Sequence, residues 1–158
     1  MQIYILRHGI AEDAPAGQPD SARRLTPEGK EKLRRILTVA RQAGVHPDVL
    51  LSSPYKRAME TAEIAHQVLR LTERIIQTDV LTPAYTPERV WDEIRLHRDA
   101  EQIMLAGHEP QLSSLVQFLT GGQVEMKKGA LARIDTDSLG SRPNATLVWL
   151  LTAKLAGA

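Results

Sequence analysis

Short apolar stretches alternate with longer amphipathic ones along the chain, and this alternation restricts the possible folds more than any other feature of the sequence. The predicted order is strand 2–6, helix 27–43, strand 48–51, helix 54–70, strand 75–78, helix 87–98, strand 102–106, helix 110–119, and strands 130–135 and 145–151. Strands that alternate with helices predict an α/β fold. Specifically, we expect a three-layer sandwich in which helices cover both faces of a mostly parallel central sheet.

Apolar residues fall on one face of three of the predicted helices. The three stripes are Leu33, Ile36, Leu37 and Ala40; Ala58, Ala62, Ala65 and Leu69; and Leu112, Leu115, Val116 and Leu119. This spacing of three and four residues indicates helix faces that pack on the sheet. Four helix starts are predicted at Thr26-Pro27, Ser53-Pro54, Thr86-Pro87 and Glu109-Pro110, because each pairs an oxygen-bearing side chain with a proline.

Composition excludes several classes of protein. The length of 158 residues fits one domain over residues 1–158, and the absence of cysteine excludes disulfides and a thiolate nucleophile. A net charge of +1 argues against a nucleic-acid-binding protein. The apolar runs are far shorter than the ~20 residues that span a bilayer, and no exposed apolar stripe suggests a dimer. We therefore expect a cytoplasmic monomer that does not associate with membranes.

Residues with side chains that can bind ligands or catalyse reactions follow three of the predicted strands. Arg7, His8 and Gly9 follow the first strand, Arg57 lies just beyond the second, and His108 follows the strand 102–106. In an open α/β sheet, ligands bind outside the carboxyl ends of the strands. Two imidazoles and two guanidiniums are therefore predicted to meet at one edge of the sheet.

This set of groups suits phosphoryl transfer. Catalysis of that reaction depends mainly on positioning and on stabilising charge with arginine, histidine and helix N-termini. His8 is the best candidate for the attacking group, because the flanking guanidiniums lower the pKa of its imidazole below the usual ~6.5 and keep it nucleophilic. A metal site built on His8 and His108 is disfavoured, because the positive charge of Arg57 would repel the ion. No metal and no cofactor are expected.

Four sequence blocks resemble the histidine phosphatase superfamily, the phosphoglycerate mutase-like proteins. They are "LRHG" at 6–9, "RRLTPEGKEKLRR" at 23–35, "SSPYKRAMETA" at 52–62 and "AGHEP" at 106–110. The compact chain and the Leu-Thr-Pro-x-Gly block look most like SixA-type phosphohistidine phosphatases. The resemblance implies that His8 is transiently phosphorylated and that Arg7, Arg57 and His108 bind the phosphoryl group. Arg24 is a further candidate at the rim of the substrate site.

The resemblance leaves the substrate open. The expected partner is a phosphohistidine-bearing signalling protein; the alternatives are a small phosphomonoester and, as a third possibility, a non-catalytic phosphate-binding module. Expelling an alkoxide needs a general acid, whereas the imidazole released from phosphohistidine departs more easily. The role of Glu109 therefore matters. It is either that acid, at the edge of the substrate site, or only a cap on the following helix.

Overall fold

A six-stranded sheet lies at the centre of the computed structural model, which describes residues 1–157. The strands are β1 (Gln2–Arg7), β2 (Val49–Ser52), β3 (Ile76–Gln77), β4 (Gln102–Gly107), β5 (Leu131–Thr136) and β6 (Ala145–Leu151). The helices are α1 (Pro27–Gln42), α2 (Lys56–Val68), α3 (Pro87–Leu96) and α4 (Gln111–Thr120). Two short 3-10 turns lie at Asp20–Ala22 and Asp79–Leu81. Residue 158, the predicted end of the domain, lies outside the described residues.

The sheet has the order β3-β2-β4-β1-β5-β6. The first four strands in this order pair in parallel, while β5 pairs antiparallel with both β1 and β6. The prediction of an α/β fold with a mostly parallel sheet is therefore confirmed. Because β4 lies between β1 and β2, the carboxyl ends of all three strands adjoin one another.

Helices cover both faces of the sheet, as predicted. Helices α1 and α2 pack together over one face, and α3 and α4 pack together over the other. The three predicted apolar stripes, on α1, α2 and α4, are buried in these two layers of core. On burial, each large apolar side chain contributes about 1.5–3 kcal/mol, so the stripes fix which side of each helix faces the sheet.

Two of the four predicted helix starts are confirmed. Thr26 caps α1, and its hydroxyl accepts a hydrogen bond from the backbone N–H of Gly29 at 2.9 Å. Thr86 is the residue before α3, although its side chain makes no capping hydrogen bond. In both helices proline is the first helical residue, where its missing N–H costs nothing.

The other two predicted starts are wrong by one or two residues. Helix α2 begins at Lys56 rather than Pro54, because the backbone N–H of Ser53 still donates to Ala106 at 3.0 Å and keeps the chain paired with β4. Helix α4 begins at Gln111, and Pro110 is the residue before it. Glu109 accepts a hydrogen bond from the backbone N–H of Ser113 and so caps α4 from one position farther out.

No helix within residues 1–157 is both long enough and apolar enough to cross a membrane.

The segment after β1 presses closely on the first turn of α1. A Cβ atom added at Gly29 would lie 2.4 Å from the carbonyl oxygen of Ile10, which is a backbone atom and cannot swing aside. This contact holds the chain that follows His8 against the helix. A side chain at position 29 would clash with the Ile10 backbone, so glycine is required there, although alanine is the better helix former by about 1 kcal/mol.

We expect Gly29→Ala to lower the free energy of unfolding by about 1–3 kcal/mol, the usual cost of overpacking a tight contact. Urea unfolding would measure the change. Gly122→Ala is the matched control, since a Cβ atom there meets only the Thr120 hydroxyl at 3.6 Å. A Gly29→Ala protein as stable as the wild type would show that the contact at Ile10 relaxes without cost.

Candidate active site

The carboxyl ends of β1, β2 and β4 bring three of the predicted groups together. His8 follows β1, Arg57 lies in the first turn of α2, and His108 follows β4. The ring centroids of His8 and His108 are 5.2 Å apart, and Arg57 Nε lies 3.3 Å from His8 Nε2. The exposed fraction is 6% for His8, 5% for Arg57 and 1% for His108. These groups therefore form one buried cluster.

The surroundings of His8 determine which ring nitrogen carries its proton. His8 Nδ1 lies 2.8 Å from the backbone carbonyl of Gly9, and a carbonyl can only accept, so Nδ1 is the protonated nitrogen. Nε2 then has a lone pair, which accepts a hydrogen bond from Arg57 Nε. Burial, followed by the positive charges of Arg57 and Arg7, lowers the pKa of His8 to about 4, although the Gly9 carbonyl partly opposes the shift. The ring is therefore neutral at pH 7.

Arg7 reaches the site from the last position of β1. Its Nη1 donates to the backbone carbonyl of Met126 at 2.8 Å, which fixes the guanidinium in place. Its Nε is buried and has no hydrogen-bond partner in the protein. A buried donor without a partner costs about 1–3 kcal/mol, which makes Arg7 Nε available to an anionic ligand.

Asp20 also belongs to the site, and the sequence analysis did not identify it. The Arg57 guanidinium donates to the Asp20 backbone carbonyl at 3.0 Å and to its carboxylate at 3.1 Å. Burial raises the pKa of Asp20, but the adjacent guanidinium outweighs that effect and holds the pKa below its usual value. No local pattern separates Asp20 from the other acidic residues of the loop 12–24, because its partner lies 37 positions away.

Arg23, the neighbour of the predicted rim residue Arg24, contacts the loop beside the site, and the role of Arg24 stays a prediction. Arg23 Nε donates to the Glu12 backbone carbonyl at 2.8 Å, and its positive charge is one of those that lower the pKa of His8. Arg24 is exposed. Adjacent residues of an extended chain point in opposite directions, and the sequence alone does not show which of two consecutive arginines points inward.

Glu109, the other residue whose role was left open, holds the start of α4. Its carboxylate accepts from the backbone N–H of Ser113 at 2.8 Å and, through its second oxygen, from the Ser113 hydroxyl. Both oxygens are therefore engaged in the cap. This geometry favours the capping interpretation of Glu109 over the general-acid interpretation.

His108 is held by Ser53, which the sequence analysis did not connect with this histidine. Its Nε2 lies 2.8 Å from the Ser53 hydroxyl oxygen, while its Nδ1 is buried without a partner in the protein. The Tyr55 ring lies beside it, with centroids 5.0 Å apart. Burial, with the positive charges nearby, lowers the pKa of His108 to about 3. Both histidines are therefore neutral near pH 7.

Within residues 1–157, no three histidine, aspartate or glutamate side chains are grouped so that they could hold a metal ion. The positive groups of the site instead surround a small region where an oxyanion would find several donors. A carboxylate already occupies part of that region in the form of Asp20.

The low pKa of His8 predicts acid sensitivity of the fold. Below pH 6.5 the unfolded chain binds a proton at His8, whereas the folded protein does not do so until about pH 4. The free energy of unfolding should therefore fall as the pH drops through this window. Urea unfolding from pH 7 to pH 4 should show a loss that is larger in the wild type than in His8→Ala, by on the order of 3 kcal/mol.

His46→Ala is the control for this measurement. His46 is exposed and precedes β2, so it lies at the amino ends of the strands, away from the active site. That variant should follow the wild-type pH dependence. Identical slopes for wild type and His8→Ala would contradict the assignment of a neutral, buried His8.

Comparison with known proteins finds similar chains, among them the following relatives and a more distant fold neighbour. The chain is 27% identical over 156 residues to the phosphohistidine phosphatase SixA of Escherichia coli strain K12, covering 96% of this chain and 94% of the relative. A solved structure of the protein histidine phosphatase SixA complexed with tungstate superposes with a TM-score of 0.88 at 26% identity, covering 98% of each chain. The α-ribazole phosphatase of Shigella flexneri shares the fold, with a TM-score of 0.74 at 17% identity over 97% of each chain.

Residues 3–82 match the family model described as the histidine phosphatase superfamily (branch 1). The match includes the end of β1 with Arg7 and His8 and the start of α2 with Arg57. The expectation drawn from the four sequence blocks is thus confirmed. The chain belongs to the histidine phosphatase superfamily and is SixA-like within it.

Proposed function

We propose that the protein removes the phosphoryl group from phosphohistidine on a signalling protein, with His8 as the nucleophile. The observation that carries the proposal is the state of His8. The Gly9 carbonyl keeps the proton on Nδ1, and the lone pair of Nε2 lies among the guanidiniums of the site. A neutral imidazole in this position is a ready nucleophile for phosphorus.

The reaction proceeds in two steps. His8 Nε2 attacks phosphorus, the bond from phosphorus to the substrate nitrogen breaks, and its electron pair returns to the substrate imidazole, which takes a proton from water. A water molecule then attacks the phosphorylated His8. The bond from phosphorus to Nε2 breaks, its electrons return to Nε2, and the proton of the water leaves to solvent with inorganic phosphate as the product.

Arg7, Arg57 and His108 stabilise the transferred group in both steps. A phosphoryl group carries charge on its peripheral oxygens through a loose transition state, so fixed donors around those oxygens lower the barrier. The hydrogen bond from Arg57 to His8 is long, at 3.3 Å, and is exchanged for the phosphoryl oxygens when substrate binds. The Asp20 carboxylate leaves the Arg57 guanidinium at the same time.

The two carboxylates near the site support phosphohistidine rather than a phosphoester as substrate. Both oxygens of Glu109 are engaged by Ser113, and the pKa of Asp20 is held below its usual value, so that neither group is placed as a proton donor. An alkoxide leaving group needs such a donor, and an imidazole leaving group needs it far less. The 27% identity to SixA points to the same substrate class.

The fold alone does not decide between substrates, since the α-ribazole phosphatase shares it at 17% identity. The small phosphomonoester therefore remains the second candidate. Metal independence is part of the proposal as well, because the Arg57 guanidinium contacts His8 Nε2 and would repel a cation there. Activity that is unchanged by chelators would agree with this part of the proposal.

The first test compares a phosphohistidine-bearing signalling domain with a set of alkyl and aryl phosphates under identical conditions. We expect kcat/KM to be highest for phosphohistidine and higher for aryl than for alkyl phosphates. His8→Ala should lose activity by several orders of magnitude, because the other imidazole of the site, His108, has its Nε2 engaged by the Ser53 hydroxyl. His46→Ala is the control and should retain it. Faster hydrolysis of alkyl phosphates than of phosphohistidine would favour the second candidate function.

The second test concerns the proton donor. If Glu109 is only a cap, Glu109→Gln should slow the turnover of phosphohistidine and of alkyl phosphates slightly and to the same extent. The free energy of unfolding should fall by about 1 kcal/mol. Ser113→Ala is the matched control, since it removes the hydroxyl from the same cap and leaves the carboxylate in place. A selective loss of alkyl phosphate turnover of about 10²-fold or more in Glu109→Gln alone would make Glu109 a general acid.

A further inference from the structure

Ser53 directly follows β2 and is fully buried, with an exposed fraction of 0%. Its oxygen accepts a hydrogen bond from the backbone N–H of Tyr55 at 3.2 Å and lies 2.8 Å from Nε2 of His108. The Ser53 backbone N–H donates to Ala106 at 3.0 Å, so the residue is fixed to the neighbouring strand. The position of the hydroxyl is thus set by backbone contacts on both sides.

The proton of this hydroxyl has one available acceptor. Tyr55 is a donor, and among residues 1–157 the only other polar partner of the Ser53 hydroxyl is His108 Nε2. A buried hydroxyl that donates to nothing costs about 1–3 kcal/mol. The hydrogen bond therefore runs from Ser53 to Nε2, and Nε2 is the unprotonated nitrogen of the ring.

A neutral histidine has one ring proton, so that of His108 lies on Nδ1. Burial and the adjacent positive charges keep the ring neutral near pH 7. Nδ1 is buried and has no partner in the protein, and the same is true of Arg7 Nε. Arg7 pairs with Gly107, the residue before His108, and the charge of Arg7 is one of those that lower the pKa of His108, so the two side chains are near each other. Because His108 Nδ1 and Arg7 Nε are neighbouring donors without partners, we expect one ligand with acceptor oxygens to satisfy both.

We propose that Ser53 is a positioning residue that fixes the tautomer of His108, so that Nδ1–H is presented to the transferred phosphoryl group. The identity of that group rests on the proposed function. The tautomer decides whether the contact between His108 Nδ1 and a phosphoryl oxygen is attractive or repulsive. With the proton on Nε2, Nδ1 would turn a lone pair toward a phosphoryl oxygen and repel it. With the proton on Nδ1, the same nitrogen donates a charge-assisted hydrogen bond.

The test reads the tautomer directly, by two-bond nitrogen-15 to proton correlation spectra of histidine-labelled full-length protein near pH 7.5. In the wild type, His108 should show a protonated Nδ1 and an unprotonated Nε2. In Ser53→Ala the proton should move to Nε2 in a large fraction of molecules. Tungstate affinity, measured by calorimetry on the same samples, should fall about 10-fold or more, as expected for losing a hydrogen bond to a charged group.

Ser52→Ala is the matched control. Ser52 is the adjacent serine, equally buried, and its hydroxyl donates to the Ser53 backbone carbonyl at 2.9 Å without contact to His108. It should keep the wild-type tautomer and tungstate affinity. Ser53→Thr retains a hydroxyl and should keep the Nδ1 proton. A purely structural role for Ser53 would change the two alanine variants alike.

A wild-type spectrum with the proton on His108 Nε2 overturns the proposal, and this reading stands even if Ser53→Ala does not fold. Equal tautomers and tungstate affinities in Ser53→Ala and Ser52→Ala also overturn it. Neither readout requires turnover. A protein that shows the expected spectra but does not hydrolyse phosphohistidine therefore refutes the proposed substrate and supports the role of Ser53.

Discussion

The in-register parallel pairing of β1 with β4 is the constraint on which the site depends. Residue pairs run from Gln2 and Gln102 to Arg7 and Gly107, so the residues that follow the two strands, His8 and His108, lie side by side. The backbone N–H of His8 donates to the Gly107 carbonyl at 3.0 Å and continues the pairing by one more bond. A slip of one residue would turn every side chain of β1 to the opposite face and would separate the two imidazoles.

The electrostatic cost of the site explains the arrangement around these histidines. The half-buried Arg7 and the buried Arg57 both lie near His8, and burying like charges together is expensive unless other groups offset them. The structure reduces that cost in two ways. Both histidines stay neutral because burial and their neighbours lower the pKa values of the rings. The remaining charge on Arg57 is offset by Asp20, which reaches it from the long loop after β1.

Much of the fold and the main site groups could be predicted because they depend on local patterns. The apolar stripes of α1, α2 and α4 and the residues at the strand ends are visible in short windows of sequence. The contacts that could not be predicted join distant segments. Asp20 to Arg57 and Ser53 to His108 depend on loop paths and side-chain rotation. The start of α2 was misplaced for a related reason, since pairing between Ser53 and Ala106 delays the helix and overrides the signal from Pro54.

The contact between Asp20 and Arg57 also bears on how the reaction cycle ends. Phosphate, the product, carries charged oxygens like those of the transferred phosphoryl group, so a site that stabilises that group also binds the product. When phosphate leaves, the Asp20 carboxylate can return to the Arg57 nitrogen that it contacts at 3.1 Å, so that departure exchanges one anion for another. The guanidinium is then never left buried without a counter-charge. We expect this exchange to shorten the residence time of the product and to limit inhibition by phosphate.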